Sequence, residues 1–186
     1  MEAIYILVGL ALLVLIWLIG TYNGLVRLRQ HCRESWSDID TELKRRYDLI
    51  PNLVATVKGY AAHERQTLAA VVEARSRAVA SSGSPRTQAT DENALTGALK
   101  HLFAISEEYP ELRASENFLK LQEELANTED RIQAARRFYN ANVRDLNTRA
   151  EVFPSSVIAS AFGFTKEEFF DVEGADFRAA PDVKLP

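Results

Sequence analysis

Sulfur, histidine and glycine are scarce in this 186-residue chain, and each scarcity removes a class of function. One cysteine, Cys32, excludes an intrachain disulfide framework and a multi-thiolate zinc site. His31, His63 and His101 lie far apart in sequence, and none opens a two-histidine metal pattern. His63-Glu64 resembles the start of H-E-x-x-H, but position 67 is Thr67, so the zinc peptidase motif is incomplete. None of G-x-G-x-x-G, G-x-x-x-x-G-K-S/T or G-x-S-x-G occurs, which leaves no loop to cradle a phosphate or present a nucleophile. Positive charge is not in excess either: 22 Lys and Arg stand against 26 Asp and Glu, a formal net charge of −4. That balance gives no electrostatic ground for holding a polynucleotide. The chain is therefore expected to carry no catalytic, cofactor-binding or metal-binding residues and to have no nucleic-acid partner.

Apolar residues, by contrast, crowd the start of the chain. Between Glu2 and Arg27 lie 24 uncharged residues, and positions 4–19 hold twelve Leu, Ile or Val. As a helix rising about 1.5 Å per residue, this stretch reaches about 36 Å, more than the ~30 Å hydrocarbon core of a bilayer. Its twelve aliphatic side chains contribute roughly −4 to −7 kcal/mol to insertion, with no buried charge to offset them. A cleavable signal would want basic residues before the run and a small-x-small site after it; neither is present, so an uncleaved anchor is expected. Arg27, Arg29 and Arg33 follow the run and no basic residue precedes it. The positive-inside rule then predicts one pass through a cytoplasmic (inner) membrane, with the N-terminus outside and the rest in the cytoplasm. Tyr5, Trp17 and Tyr22 suit the two interfacial belts.

From residue 25 to 153 the apolar positions recur at helical spacing. Phe118, Leu125, Ile132, Tyr139, Leu146 and Phe153 are spaced by seven, predicting one helix of about 36 residues with a coiled-coil-like seam, capped by Ser115 and stopped by Pro154. Upstream, Leu25, Cys32 and Ile39 repeat by seven beside Trp36, Leu43 and Ile50, so the membrane helix is expected to continue as the first bundle helix. Cys32 falls on that seam and is read as core. Pro51 is expected to end this helix and start a second, running to about residue 80. Ser81-Ser82-Gly83-Ser84-Pro85 reads as a loop, and a third helix through Leu95, Leu99, Leu102 and Ile105 ends near Pro110. The fold class is thus all-α: an N-terminal transmembrane helix continuing into an antiparallel four-helix up-down-up-down bundle with a short C-terminal helix. The expected division is 1–26 anchor, 27–170 cytoplasmic helical bundle and 171–186 flexible acidic tail.

Up-down topology would return the C-terminal half of the long helix to the bilayer, and its charges are sorted accordingly. Residues 111–130 hold six carboxylates against Arg113 and Lys120, whereas residues 131–149 hold five arginines against Asp145. Arg27, Arg29, Arg33, Arg75, Arg77, Arg136, Arg137, Arg144 and Arg149 are expected to form a membrane-proximal basic pole facing anionic lipid, at about 1 kcal/mol each at best. The same sorting also complements the helix dipole, and both causes fit. After Pro154, Val157, Ile158, Phe162 and Phe164 either lie in the membrane interface, contact a neighbouring subunit or close the bottom of the bundle.

Several strings resemble the bacterial LemA family: Tyr22-Asn23-Gly24-Leu25-Val26, Trp36-Ser37-Asp38-Ile39-Asp40, the run from Lys44 to Val54, Val57-Lys58-Gly59-Tyr60, Glu116-Asn117-Phe118, Ala135-Arg136-Arg137-Phe138-Tyr139-Asn140 and Phe162-Gly163-Phe164. The resemblance covers residues 4 to about 170. It implies a membrane-anchored helical bundle without an accepted catalytic site, in a family whose relatives include proteins connected with magnetosome membrane formation.

Within Lys44-Arg45-Arg46, three adjacent cations at the membrane-distal pole exceed what solubility requires. Glu107, Glu108, Glu111 and Glu116 are the expected counterparts, on the same subunit or the next, making this a candidate subunit contact. The carboxylates at 107, 108 and 111 read as a solvated helix end in preference to a cation site. The function expected from all this is a non-enzymatic, self-assembling scaffold (a homo-oligomer) that organises or remodels the membrane. An adaptor for a membrane enzyme such as an envelope-stress protease is the alternative.

Overall fold

The computed structural model describes residues 1–171, and those residues are all-helical apart from their connections. Six helices follow in order: α1 Glu2–Tyr60, α2 Arg65–Ala80, α3 Pro85–Ser106, α4 Pro110–Arg113, α5 Glu116–Glu151 and α6 Ser155–Ala161. The acidic tail expected over 171–186 lies, beyond Asp171, outside the described residues.

The first correction concerns Pro51. The 59-residue α1 passes through it without interruption, and the expected second helix begins only at Arg65, after the turn at Ala61–Glu64. A mid-helix proline removes one N–H and leaves the carbonyl four residues earlier without its donor. That carbonyl belongs to Tyr47, and the Arg75 Nε of α2 donates to it at 2.8 Å. A side chain from the neighbouring helix thus supplies the bond that Pro51 cannot. The proline ring itself faces solvent, where it displaces no packing.

The core divides into two clusters along α1. In the distal one, Ile50, Leu53 and Val57 of α1 meet Leu68, Val71 and Ala74 of α2, Leu95, Leu99 and Leu102 of α3, Leu112 of α4, and Phe118 and Leu125 of α5. In the proximal one, Leu25, Cys32, Ile39 and Leu43 of α1 meet Ile132, Tyr139, Val143 and Leu146 of α5, joined by Ile158 and Ala159 of α6 and by Phe170. Helix length explains the division. The 16 residues of α2 and 22 of α3 reach about 24 and 33 Å, against about 54 Å for α5. Helices α2 and α3 therefore contribute almost wholly at the distal end, short of the full-length bundle expected.

Helices α1 and α5 are antiparallel: Arg46 pairs with Glu129, Arg131 with Glu42, and Asn142 reaches His31 O and Ser35 Oγ. The expected bounds of α5 hold, and its seam is buried from Phe118 to Leu146. Phe153 departs from the seam because the helix has already ended, and it is 79 % exposed.

The proximal cluster takes only Ala89 from α3 and no buried residue from α2, and an extended strap fills the rest. After α6, Gly163 turns the chain with a φ of 69°, a conformation natural to glycine, and residues 164–171 run back along α5. Two asparagines seven residues apart bind the strap by its backbone. Asn147 Oδ1 accepts from Glu167 N and its Nδ2 donates to Glu167 O, both at 2.9 Å. Asn140 does the same for Phe170, at 2.9 and 3.2 Å. Each amide thereby imitates a neighbouring β-strand, and Phe170 inserts beside Trp36 and Arg136.

Candidate functional site at the membrane-proximal pole

Residues 2–17 of α1 are exposed without exception, and α1 is long and apolar enough to cross a membrane. At about 1.5 Å per residue, Ile4 to Tyr22 rises about 27 Å, close to the ~30 Å of a hydrocarbon core, so a span that begins at Ile4 would end near Tyr22. Heights above the bilayer follow from that boundary and from the α1/α5 register. Arg27, Arg29 and Arg33 stand at about 8, 10 and 16 Å along α1. Continuing the register from Asn142 opposite His31 and Ser35, Arg149 lies level with about residue 25 and Arg144 with about residue 30. On that geometry these five lie at the end of the bundle nearest the apolar run.

The other four predicted members do not belong to it. Arg136 and Arg137 stand about 20 Å out, and Arg136 is engaged by the strap, donating to Phe170 O at 2.8 Å and to Asp171 Oδ1 at 2.6 Å. Arg75 and Arg77 sit level with Tyr47, about 37 Å out, because α2 is too short to return to the bilayer. With a Debye length of about 8 Å at physiological salt, lipid attraction falls steeply over these heights: Arg27 and Arg29 contribute most, Arg33 at about 16 Å already less, and the outer four little. Within the pole, Arg29 lies over the Phe164 ring at 4.8 Å, and Tyr22 packs against Phe162 and Phe164 at 4.9 and 5.9 Å. The strap and α6 are thereby tied to the end of the apolar run.

Arg46 requires the second correction. It is 2 % exposed, not a surface cation, and its guanidinium is ion-paired with Glu92 and with Glu129, the latter at 2.6 Å, while Thr96 Oγ1 accepts at 3.0 Å. The Tyr47 hydroxyl donates to the same Glu92 carboxylate. Burial and that acceptor push the Tyr47 hydroxyl pKa well above its usual range. Gln133 donates to Glu129 at 2.8 Å. The network joins α1, α3 and α5 between the two apolar clusters. Sequence reading missed this network, although a signal for it exists: Arg46 falls on the stripe Leu43, Arg46, Ile50, and Glu92 on the stripe Ala89, Glu92, Leu95.

The predicted contact between Lys44, Arg45, Arg46 and the distal carboxylates does not form within the subunit. Glu107, Glu108, Glu111 and Glu116 lie at the far tip, about 20 Å along the bundle from Lys44 and Arg45, and Glu107 pairs with Arg113 at 3.0 Å. Two copies anchored in one flat membrane would hold these groups at different heights as well. All four carboxylates are exposed, and among the described residues no group of three or more His, Cys, Asp or Glu side chains has metal-binding geometry.

Cys32 is buried on the α1/α5 seam, and burial, with Glu167 and Asp145 nearby, pushes its thiol up to about 11. A folded value above the ordinary 9.0 favours the native state fully below pH 9, and that contribution is lost as pH rises toward 11. The unfolding midpoint of the full-length protein in detergent is accordingly expected to fall between pH 9 and 11. Cys32→Ala should flatten the early part of that fall, by on the order of 2 kcal/mol. An unchanged pH profile in the variant would refute this account.

The LemA family pattern matches residues 35–185, from the middle of α1 to beyond the strap. The chain belongs to the LemA family. Among its relatives, magnetosome protein MamQ of Magnetospirillum gryphiswaldense is 26% identical over 178 residues, covering 82% of this chain and 65% of that one. Protein LemA of Metamycoplasma hominis is 26% identical over 171 residues, covering 86% of this chain and 77% of the relative. Magnetosome protein MamQ 2 of Paramagnetospirillum magneticum is 26% identical over 183 residues, with 85% and 67% covered. The chain thus spans just under two thirds of the first MamQ. Family membership and the long apolar helix together fit a membrane-associated helical protein.

Proposed function

We propose that this LemA-family chain is a non-enzymatic scaffold, anchored by a single pass of α1, that assembles with its own copies and organises or reshapes the membrane beneath it. The observation that carries the reading is the continuity of α1. One unbroken helix runs from a fully exposed apolar stretch into both core clusters, so the bundle stands on the bilayer as a rigid post. Arg27, Arg29 and Arg33 on one flank of the span and none on the other favour a cytoplasmic bundle with the N-terminus outside. The order of α1, α2, α3 and α5 supports up-down-up-down connectivity, with α4 inserted at the distal turn. Kinship with magnetosome proteins is consistent with work on membranes, and exposed Val72, Val79, Leu119 and Phe138 offer lateral apolar contacts away from the bilayer.

Chemical cross-linking in native membranes, followed by gentle solubilisation and native electrophoresis, tests assembly. A ladder of multiples of the 20.9 kDa chain is expected; a strictly monomeric species at native abundance would reject the scaffold. One observation favours a second reading, an adaptor for a membrane enzyme such as an envelope-stress protease. The α1/α5 groove holds an extended segment through its main chain, as a peptide-reading surface does. A stoichiometric enzyme partner recovered without self-association would select the adaptor.

A further inference from the structure

We propose that α6 and its flanks form a lipid-inserted wedge: Phe153, Val157 and Phe162 enter the headgroup and upper acyl region of the leaflet facing the bundle. This rests on the reading of α1 as a membrane span. Helix α6 buries Ser155, Ile158 and Ala159 against the proximal core, and the same cluster takes in Leu18 from the apolar run of α1. The short helix is therefore held at the depth of the last turns of the span. Its other side is apolar and uncovered. Phe153, Val157 and Phe162 are 79, 58 and 61 % exposed, and Val152 is 52 % exposed. Phe162 meets Tyr22 on one edge only, and among the described residues the outward sides of all four stay exposed, close to where Leu18 of the apolar run joins the core.

The chemistry at the margin fits the same occupant. Arg27 and Arg149 are exposed at about headgroup height on α1 and α5, and Lys166 pairs with Glu151, the residue next to Val152. An apolar centre with cationic neighbours matches the boundary between acyl chains and anionic headgroups. A second copy would have to cover the patch at a depth where lipid already surrounds α1. A bilayer covers it without further assembly. The wedge occupies area in one leaflet only, which gives a mechanical asymmetry that a lone spanning helix lacks.

Full-length protein carrying Cys32→Ala and one new cysteine, at Val157, Phe153, Ile16 or Leu119, would be labelled with a fluorophore. It would then be reconstituted at low density in phosphatidylcholine–phosphatidylglycerol vesicles. Nitroxide on the upper acyl chain and aqueous iodide serve as opposed quenchers. Sites 157 and 153 are expected to follow site 16, quenched by the lipid nitroxide and shielded from iodide, whereas site 119 shows the reverse. Iodide access at 157 equal to that at 119, with site 16 still lipid-quenched, would overturn the wedge and leave the anchor standing. Loss of lipid quenching at site 16 would instead overturn the anchor. Shielding at 157 accompanied, in unlabelled protein treated with copper-phenanthroline oxidant at the same low density, by 157–157 disulfide formation would assign the patch to a second copy and overturn the wedge.

Discussion

Arg46→Met is expected to lower the unfolding midpoint of the full-length protein in detergent by about 10 °C. The Arg46–Glu92 pair is almost completely enclosed, and truncating one member leaves an uncompensated buried charge at a cost of about 3–5 kcal/mol. For a chain of this size each kcal/mol moves the midpoint by about 2–4 °C. Glu129 is only partly enclosed and can turn to water, but Glu92 cannot. Arg46→Met combined with Glu92→Gln should recover most of the loss, since the amide removes the second charge and keeps an acceptor for the Tyr47 hydroxyl. Thermal melts followed by circular dichroism decide the matter. A single variant within about 2 °C of the parent would show that the network is not held in a dry interior.

Phe170→Ala is expected to release the strap before it unfolds the bundle. Phe170 is 1 % exposed between Trp36, Tyr139 and the Arg136 guanidinium, and truncating such a phenylalanine costs about 3 kcal/mol or more, near a hundredfold rise in the open population. The strap is the last described segment and packs on one side only, so the loss falls on a local opening rather than on the whole fold. In a Trp17→Phe background, Trp36 emission should shift to the red and become open to acrylamide, and proteases should cut after Phe164. Phe169→Ala alters the exposed neighbour and is expected to stay within about 0.5 kcal/mol of the parent. Equal behaviour of the two variants would mean that Phe170 does not hold the strap.

These predictions fall where the sequence was least transparent. The α5 seam was readable because it depends only on periodicity and on Pro154 as a stop. The passage of α1 through Pro51 was not, since the donor that satisfies Tyr47 O sits on another helix, at Arg75. Short-range rules saw a lost hydrogen bond and expected a break. The error then propagated, because a second helix starting at Pro51 would have carried Arg75 and Arg77 back to the bilayer. Arg46 was hidden by its neighbours: three successive cations look like a solvated run, yet consecutive helical residues point about 100° apart and cannot all face water. The strap has no period at all, and its recognition depends on asparagines that lie 20 and 30 residues from the backbone they bind.

The unbroken α1 also makes a lever. With α1 anchored as proposed, Asn23 to Tyr60 extends about 55 Å beyond the bilayer, and the helix stays unbroken through Gly24, Pro51 and Gly59. Spanning helices tilt by about 20° on average, according to local hydrocarbon thickness, and that inclination would carry the far tip about 20 Å sideways. A difference of a few ångströms in bilayer thickness is thereby converted into a lateral displacement comparable with the width of a neighbouring post.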